Sequence, residues 1–144
     1  MIVTWGELPA LANQVVMVDG SFDPLHEGHI SYFEAASSLG KPVLCNITSD
    51  QWTVSKHPIL LPQKSRAAVI DSIRHISYVF PASVPTISVL SQLRPSHYVK
   101  GRDWLDRGGI PIEEADFCQR HSISVLYLGP TLNSSSALLD RFRR

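Results

Sequence analysis

The chain alternates short apolar runs with longer segments of helical spacing. Residues 15–18 form a compact β-rich run that ends at Asp19-Gly20, a turn signal. Over residues 29–39, Ile30, Phe33 and Ala36 fall on one face, and Gly40 stops the pattern, which predicts a helix. Residues 43–47 read as a second strand. Residues 63–73 read as a second helix, with Ala67, Ile70 and Ile73 on one face. Further strands are predicted at 77–80, 97–100 and 123–128, and further helices at 86–93, 112–121 and 135–142. Five strands separated by helices predict βαβ units. The expected fold is α/β, three layers deep (α/β/α), with a mostly parallel five-stranded sheet. Residues 1–13 read as an N-terminal extension packed on the sheet or on a partner, and 14–144 as a single domain. Residues 49–62 lack clear periodicity and follow a strand end. Ligands of open parallel sheets bind at strand C-termini, so this stretch is a candidate substrate loop.

At 144 residues, two independent cores are excluded. Thirteen basic residues balance thirteen acidic ones, which argues against a nucleic-acid partner. A small anionic ligand needs only a few local donors and stays open. Cys45 and Cys118, the only cysteines, cannot make a disulfide framework, so a reduced, cytoplasmic setting is expected. The start of the chain carries Glu7 and Pro9 and no basic run, unlike a signal peptide. The longest uncharged run, 76–93, is broken by Pro81 and Pro85 and diluted by five serines and threonines, so a membrane partner is not expected.

The chemistry concentrates in Asp19-Gly20-Ser21-Phe22-Asp23-Pro24-Leu25-His26-Glu27-Gly28-His29, between the first predicted strand and the first predicted helix. A glycine turn and a helix N-terminus both present backbone N–H groups to an anion. His26 and His29, three apart, lie on one side of the helix start. Gly28 between them leaves room for a nucleotide to approach the backbone. A zinc site lacks a third ligand at a recognisable spacing, and HExxH is absent. A dinucleotide-binding domain lacks its GxGxxG.

Residues 20–29 resemble the GxFDxxHxGH signature of the nucleotidyltransferase superfamily. Its small members include glycerol-3-phosphate cytidylyltransferases and the adenylyltransferase domain that acts on heptose 1-phosphate. Thr48-Ser49-Asp50 resembles the S/T-D element after the second strand. Arg66 matches the arginine that opens the following helix. Leu93-Arg94-Pro95 with Tyr98-Val99-Lys100-Gly101-Arg102-Asp103-Trp104 resembles the L-x-P…VKGxDW/Y element, and Ser134-Ser135-Ser136 the IST/ISS element.

The resemblance implies a Rossmann-like fold and an in-line attack by an acceptor phosphate on the α-phosphorus of a nucleoside triphosphate. Positioning and charge stabilisation drive such a reaction. His26, His29 and Lys56 are the implied catalytic residues. Gly20, Ser21, Phe22, Asp23, Gly28, Arg66, Lys100, Gly101, Asp103, Trp104 and Ser135 are the implied nucleotide-binding residues. CTP is slightly favoured over ATP, and the acceptor is a small phosphorylated polyol or sugar such as glycerol 3-phosphate or heptose 1-phosphate. Mg2+ is implied as a cofactor carried mainly by the triphosphate, with no protein metal cage. A homodimer is a further expectation by analogy. Pro130 stands where the glycerol-phosphate relatives carry an arginine, and Asn133 replaces a glycine. The Pro130 replacement supports the alternative reading, a catalytically inactive nucleotide-binding sensor or scaffold module.

Overall fold

The computed structural model describes residues 1–130 and 135–142, the side chains of Ser135 and Ser136 apart. Five strands, β1 (Val16–Gly20), β2 (Val43–Ile47), β3 (Tyr78–Pro81), β4 (His97–Gly101) and β5 (Ser124–Leu128), form one sheet in the order β3-β2-β1-β4-β5. Every pairing is parallel. The helices are α1 (Glu27–Ser37), α2 (Asp50–Val54), α3 (Gln63–Asp71), α4 (Thr86–Leu93), α5 (Asp103–Asp106), α6 (Ile112–Arg120) and α7 (Ser135–Phe142). The architecture is a Rossmann-like α/β fold.

Helices cover both faces, which is why the central strands read as unbroken apolar runs. On one face Met17, Leu44 and Tyr98 pack with Val89, Leu90 and Leu93 of α4 and Phe117 and Cys118 of α6. On the other, Val16, Val18, Cys45 and Val99 pack with Phe33 and Ala36 of α1 and Ala67 and Ile70 of α3. Val16, Met17 and Val18 are completely buried. Each such side chain contributes roughly 1.5–3 kcal/mol by leaving water.

The chain steps outward from β1 to β2 to β3, then returns to lay β4 on the other side of β1. Connections leave β1 and β4 in opposite directions, so their C-terminal ends form the topological switch point, where open α/β sheets place a ligand cleft. α1 starts at Glu27, two residues before the helical spacing begins, because His26 serves as its N-cap. Residues 1–11 are not a detached tail. Ile2 bridges to Val79, Val3 N–H donates to Val79 O at 2.8 Å, and a 3-10 helix over Trp5–Leu11 buries Leu8 in the α4 side of the core. The expected loop at 49–62 carries α2, capped by Ser49, whose side chain accepts the Trp52 N–H at 3.1 Å. Among the described residues no helix is long and apolar enough to cross a membrane.

Candidate active site

The cleft has two unlike sides. The first is the turn from β1 into α1. His26 Nδ1 accepts the Gly28 N–H at 3.1 Å, and the His26 N–H donates to His29 Nδ1 at 3.2 Å. With both Nδ1 atoms accepting, these bonds assign the proton of each neutral ring to Nε2. The rings stack at 3.9 Å with 27° between planes. Burial and then the neighbouring His26 lower the His29 pKa to about 3. Burial also lowers His26, opposed by the charge of Glu27. At neutral pH the loop therefore holds two uncharged imidazoles, each with an Nε2–H donor, at the positive end of α1. His26 Nε2 is buried with no hydrogen-bond partner among the described residues. A donor left so is costly unless a ligand satisfies it.

Other residues of the motif hold this pair in place. Phe22 is buried at φ 53°, with its ring edge against His29 at 5.0 Å and Phe33 at 5.1 Å. A Cβ on Gly20 would come within 3.0 Å of the Phe22 ring, so that ring needs glycine there. Asp23 is fully buried, and its carboxylate accepts the N–H groups of Leu60 at 2.7 Å and Leu61 at 3.0 Å. Ser21 Oγ sits in a hydroxyl cluster, 2.7 Å from Thr48 Oγ1 and 3.1 Å from Thr53 Oγ1. Phe22 and Asp23 sit beneath the histidines as supports.

Arg66 is a clearer correction. The resemblance implied a nucleotide-binding role for it. The structure buries its guanidinium to 1% exposure. It donates to Leu61 O at 3.1 Å, Ser21 O at 2.8 Å, Thr48 O at 3.1 Å and Asp50 Oδ1 at 2.6 Å. Three chain reversals leave carbonyls that no secondary structure satisfies, and one planar fork of five donors collects them. Arg66 thus ties the histidine turn, the end of β2 and the 49–62 segment together. Four of its five N–H donors are thereby committed within the protein.

The second side is built from β4, α5 and α2. Lys100 is 4% exposed, with Nζ 3.1 Å from Asp19 Oδ2 and 4.4 Å from the centre of the Trp104 ring. Lys56 Nζ lies 5.7 Å from the same ring and 5.2 Å from that of Trp52. Arg107 flanks Trp104 at 5.0 Å and pairs with Asp103 at 2.7 Å. A Cβ on Gly101 would come within 2.6 Å of Asp103 Oδ1, so any other residue there would push the Asp103 carboxylate aside. Lys56 makes no ion pair among the described residues. Desolvation of its amino group, and then the charge of Lys100, lower its pKa. The structure thus gathers Lys56, Lys100, Gly101, Asp103 and Trp104 on one side, and Gly20, Ser21, Phe22, Asp23, His26, Gly28 and His29 on the other. The Ser135 side chain, Thr131, Asn133 and Ser134 lie outside the described residues.

Sequence reasoning missed Asp19, taken there as half of a turn signal. Its carboxylate anchors Lys100 and also accepts from Asn46 Nδ2 at 2.7 Å. It missed Gln63 too, whose Nε2 donates to Ile47 O at 3.0 Å and Ala82 O at 2.7 Å and so joins the ends of β2 and β3. The available signal for Asp19 was its position, a charged residue closing an otherwise apolar central strand.

A parallel sheet with an anion-ready helix N-terminus and converging lysines at its switch point defines a nucleotidyltransferase-type α/β domain. Residues 17–129 match the cytidylyltransferase-like family, and the chain belongs to that family. It is 32% identical over 137 residues to the "Bifunctional protein HldE" of Helicobacter acinonychis (strain Sheeba), covering 91% of this chain and 28% of that protein. A protein of the same name from Pseudomonas savastanoi pv. phaseolicola is 32% identical over 138 residues, covering 90% and 28%. The chain thus spans just over a quarter of the length of these relatives. Among solved structures, the lipopolysaccharide core biosynthesis protein from Thermoplasma volcanium GSS1 shares the fold with a TM-score of 0.67 at 19% identity, covering 82% of this chain and 98% of that one.

Proposed function

We propose that the chain transfers a nucleotidyl group from CTP or ATP to a small phosphorylated sugar or polyol, releasing pyrophosphate. The observation that carries this is the stacked His26–His29 pair, with both Nδ1 atoms engaged and both Nε2–H groups left as donors. An acceptor phosphate oxygen attacks the α-phosphorus. The bond from that phosphorus to the β-phosphate oxygen breaks, and the electron pair leaves with pyrophosphate. His26 and His29 donate to phosphoryl oxygens as charge grows on them, and the ligand's negative charge raises their pKa values. Lys56 and Lys100 approach from the other side and compensate the incoming acceptor phosphate and the leaving group.

Among the described residues no group of three or more His, Cys, Asp or Glu stands ready to hold a metal ion. Magnesium would arrive on the triphosphate and neutralise phosphate charge there. Trp104 and Gly101 border the space for base and ribose. The likeness to the HldE proteins supports a sugar-phosphate acceptor. The match to the cytidylyltransferase-like family supports the nucleotidyl chemistry, with either nucleotide to be tried.

The experiment is pyrophosphate release from CTP and ATP, each with glycerol 3-phosphate, heptose 1-phosphate and phosphoethanolamine. Release with at least one pair, lost in His29→Ala, is expected. Nucleotide binding without release for every pair would instead favour the sensor module to which Pro130 points.

A further inference from the structure

A second group of donors lies at the other end of the sheet, where β1, β4 and β5 begin. Ala12, Asn13, Arg94, Pro95, His121 and Ser122 line an open pocket of about 430 Å3 there. The backbone around it is unusual. Among the described residues four other than glycine have positive φ, and three of them line this pocket: Asn13 at 59°, Arg94 at 53° and Ser122 at 57°. The fourth, Phe22, belongs to the histidine turn. Such conformations gather where function holds them in place. Helix ends account for part of the pattern. Arg94 is the C-cap of α4, and Ser122 follows the last residue of α6 by two. A cation there complements the helix dipole, and Arg94 Nε donates to the Ser91 carbonyl at 3.3 Å. The rest of its fork does something else. Nη1 reaches across to the end of α6 and donates to His121 Nδ1 at 3.0 Å, which leaves the proton of the neutral ring on Nε2.

Phe117 forms a floor for both groups, 4.2 Å from the His121 ring and 5.6 Å from the Arg94 guanidinium. Partial desolvation, and then the charges of Arg94 and Arg120, lower the His121 pKa. Lys41 Nζ donates to Asn13 O at 3.3 Å, and the Asn13 N–H donates to Arg94 O at 2.8 Å, which brings a third segment to the same place. Among the described residues no carboxylate pairs with Lys41, Arg94 or Arg120. Arg94 thus aims a charged donor at a neutral imidazole, and three of its five N–H groups make no hydrogen bond among the described residues. Arg94 and His121 are exposed, so a ligand reaches them directly. A metal ion or an ammonium would be repelled here. An oxyanion would meet a guanidinium fork, an imidazole and an ammonium from separate segments. That spread of donors suits the tetrahedral oxygens of a phosphoryl group, whereas a carboxylate needs only the fork. We infer that Arg94 and His121, with Lys41 at the rim, bind the phosphoryl group of a small phosphate ester or of pyrophosphate at a second site, separate from the histidine turn. This site stands whether or not the cleft catalyses a transfer.

The test follows the His121 ring C–H signals and the Asn13 and Ser122 amide signals by NMR at neutral pH, while inorganic phosphate or pyrophosphate is added. Acetate, and chloride at matched ionic strength, are the comparison anions. Phosphate or pyrophosphate should shift these signals saturably, in the native chain and in His29→Ala alike. Arg94→Gly suits the left-handed backbone and removes the fork. It should weaken binding by about tenfold or more, the loss expected for charge-assisted hydrogen bonds. Arg94→Lys should recover only part, because an ammonium cannot reproduce the fork. Arg120→Gln removes a neighbouring charge and leaves the pocket lining intact, so it should weaken binding by less than Arg94→Gly. Should Arg94→Gly fail to fold, His121→Gln, at the exposed end of α6, takes its place, read from the two amides. An unchanged response in the variant, or an equal response to chloride or acetate, would overturn the inference. So would a response that His29→Ala abolishes, because it would then originate in the cleft.

Discussion

The two sides of the cleft prepare for the same anion in opposite ways. The β1–α1 side offers neutral imidazoles whose basicity is suppressed by burial, set over a frame of buried struts. The β4–α5 side offers permanent cations, one of them neutralised beforehand by Asp19. A neutral donor costs little to bury and gains charge only when the phosphate arrives. A buried lysine must bring its counter-ion with it. Under the proposed function, this contrast lets a chain of zero net charge present a triphosphate site. The positive charge would appear on ligand binding, or is balanced locally, and needs no basic excess.

The largest effect is expected where the first side is braced. Arg66→Ala leaves three carbonyls and the half-exposed Asp50 without their shared donor. A loss of about 3–5 kcal/mol in unfolding free energy is expected, the combined cost of several polar groups left without a donor and of the lost packing of a fully buried side chain. Arg66→Lys should rescue little, because a point charge cannot reproduce the fork. Chemical denaturation measures both, and a stable Arg66→Ala with weakened nucleotide binding alone would return Arg66 to the phosphate side.

Next comes the imidazole pair itself. His29→Ala removes one transition-state donor and the ring that Phe22 packs on. Turnover should fall by 10²-fold or more, about 2.7 kcal/mol in barrier. Nucleotide KM should change less than kcat. Equal losses of nucleotide affinity and turnover in steady-state kinetics would make His29 a plain binding group.

The contrast between the sides also marks what the sequence could convey. The alternation of apolar runs and helical spacings led to all five strands and to a mostly parallel sheet, because strands buried on both faces show as continuous apolar stretches. The histidine turn was legible because its residues are local, ten in a row. Arg66 and Asp19 were not. Their roles depend mostly on partners distant in the chain, such as Asp50, 16 positions from Arg66, and Lys100, 81 positions from Asp19, which no local pattern records. Residue type alone even misled for Arg66, since a buried arginine and a phosphate-binding one look alike in one dimension. The small helix α2 escaped because five residues carry too little periodicity.

The suppressed basicity of His29 gives a smaller, pH-dependent effect. Its folded pKa of about 3 lies below the ordinary 6.5. Between those values the unfolded chain binds a proton that the folded chain does not, so stability falls as pH drops below about 6.5 and stops falling near pH 3. At pH 5 the loss relative to neutral pH should be about 2 kcal/mol. His29→Asn should lose about that much less over the same range. Matching acid limbs for the two proteins in denaturant titrations would show that His29 is protonated in the fold. Nucleotide binding should also take up protons, seen as a heat that varies with the buffer's ionisation enthalpy.

The smallest effect tests the opposite side. Lys56 is exposed and makes no ion pair among the described residues, so its removal should cost the fold under 0.5 kcal/mol. Two tryptophan rings hold its amino group, but partial desolvation and the nearby Lys100 are unfavourable for a free cation and become favourable once an anion enters. Lys56→Ala should therefore lower kcat/KM for the acceptor by roughly tenfold, about 1.4 kcal/mol, and the deficit should shrink at high salt, where screening weakens the native interaction. Lys56→Arg keeps the charge but changes its reach, and should recover part of the loss. If Lys56→Ala instead leaves acceptor kinetics and their salt dependence unchanged, the second side works through Lys100 alone. The asymmetry would then be sharper, with one buried, counter-ion-bound cation facing two neutral donors across the cleft.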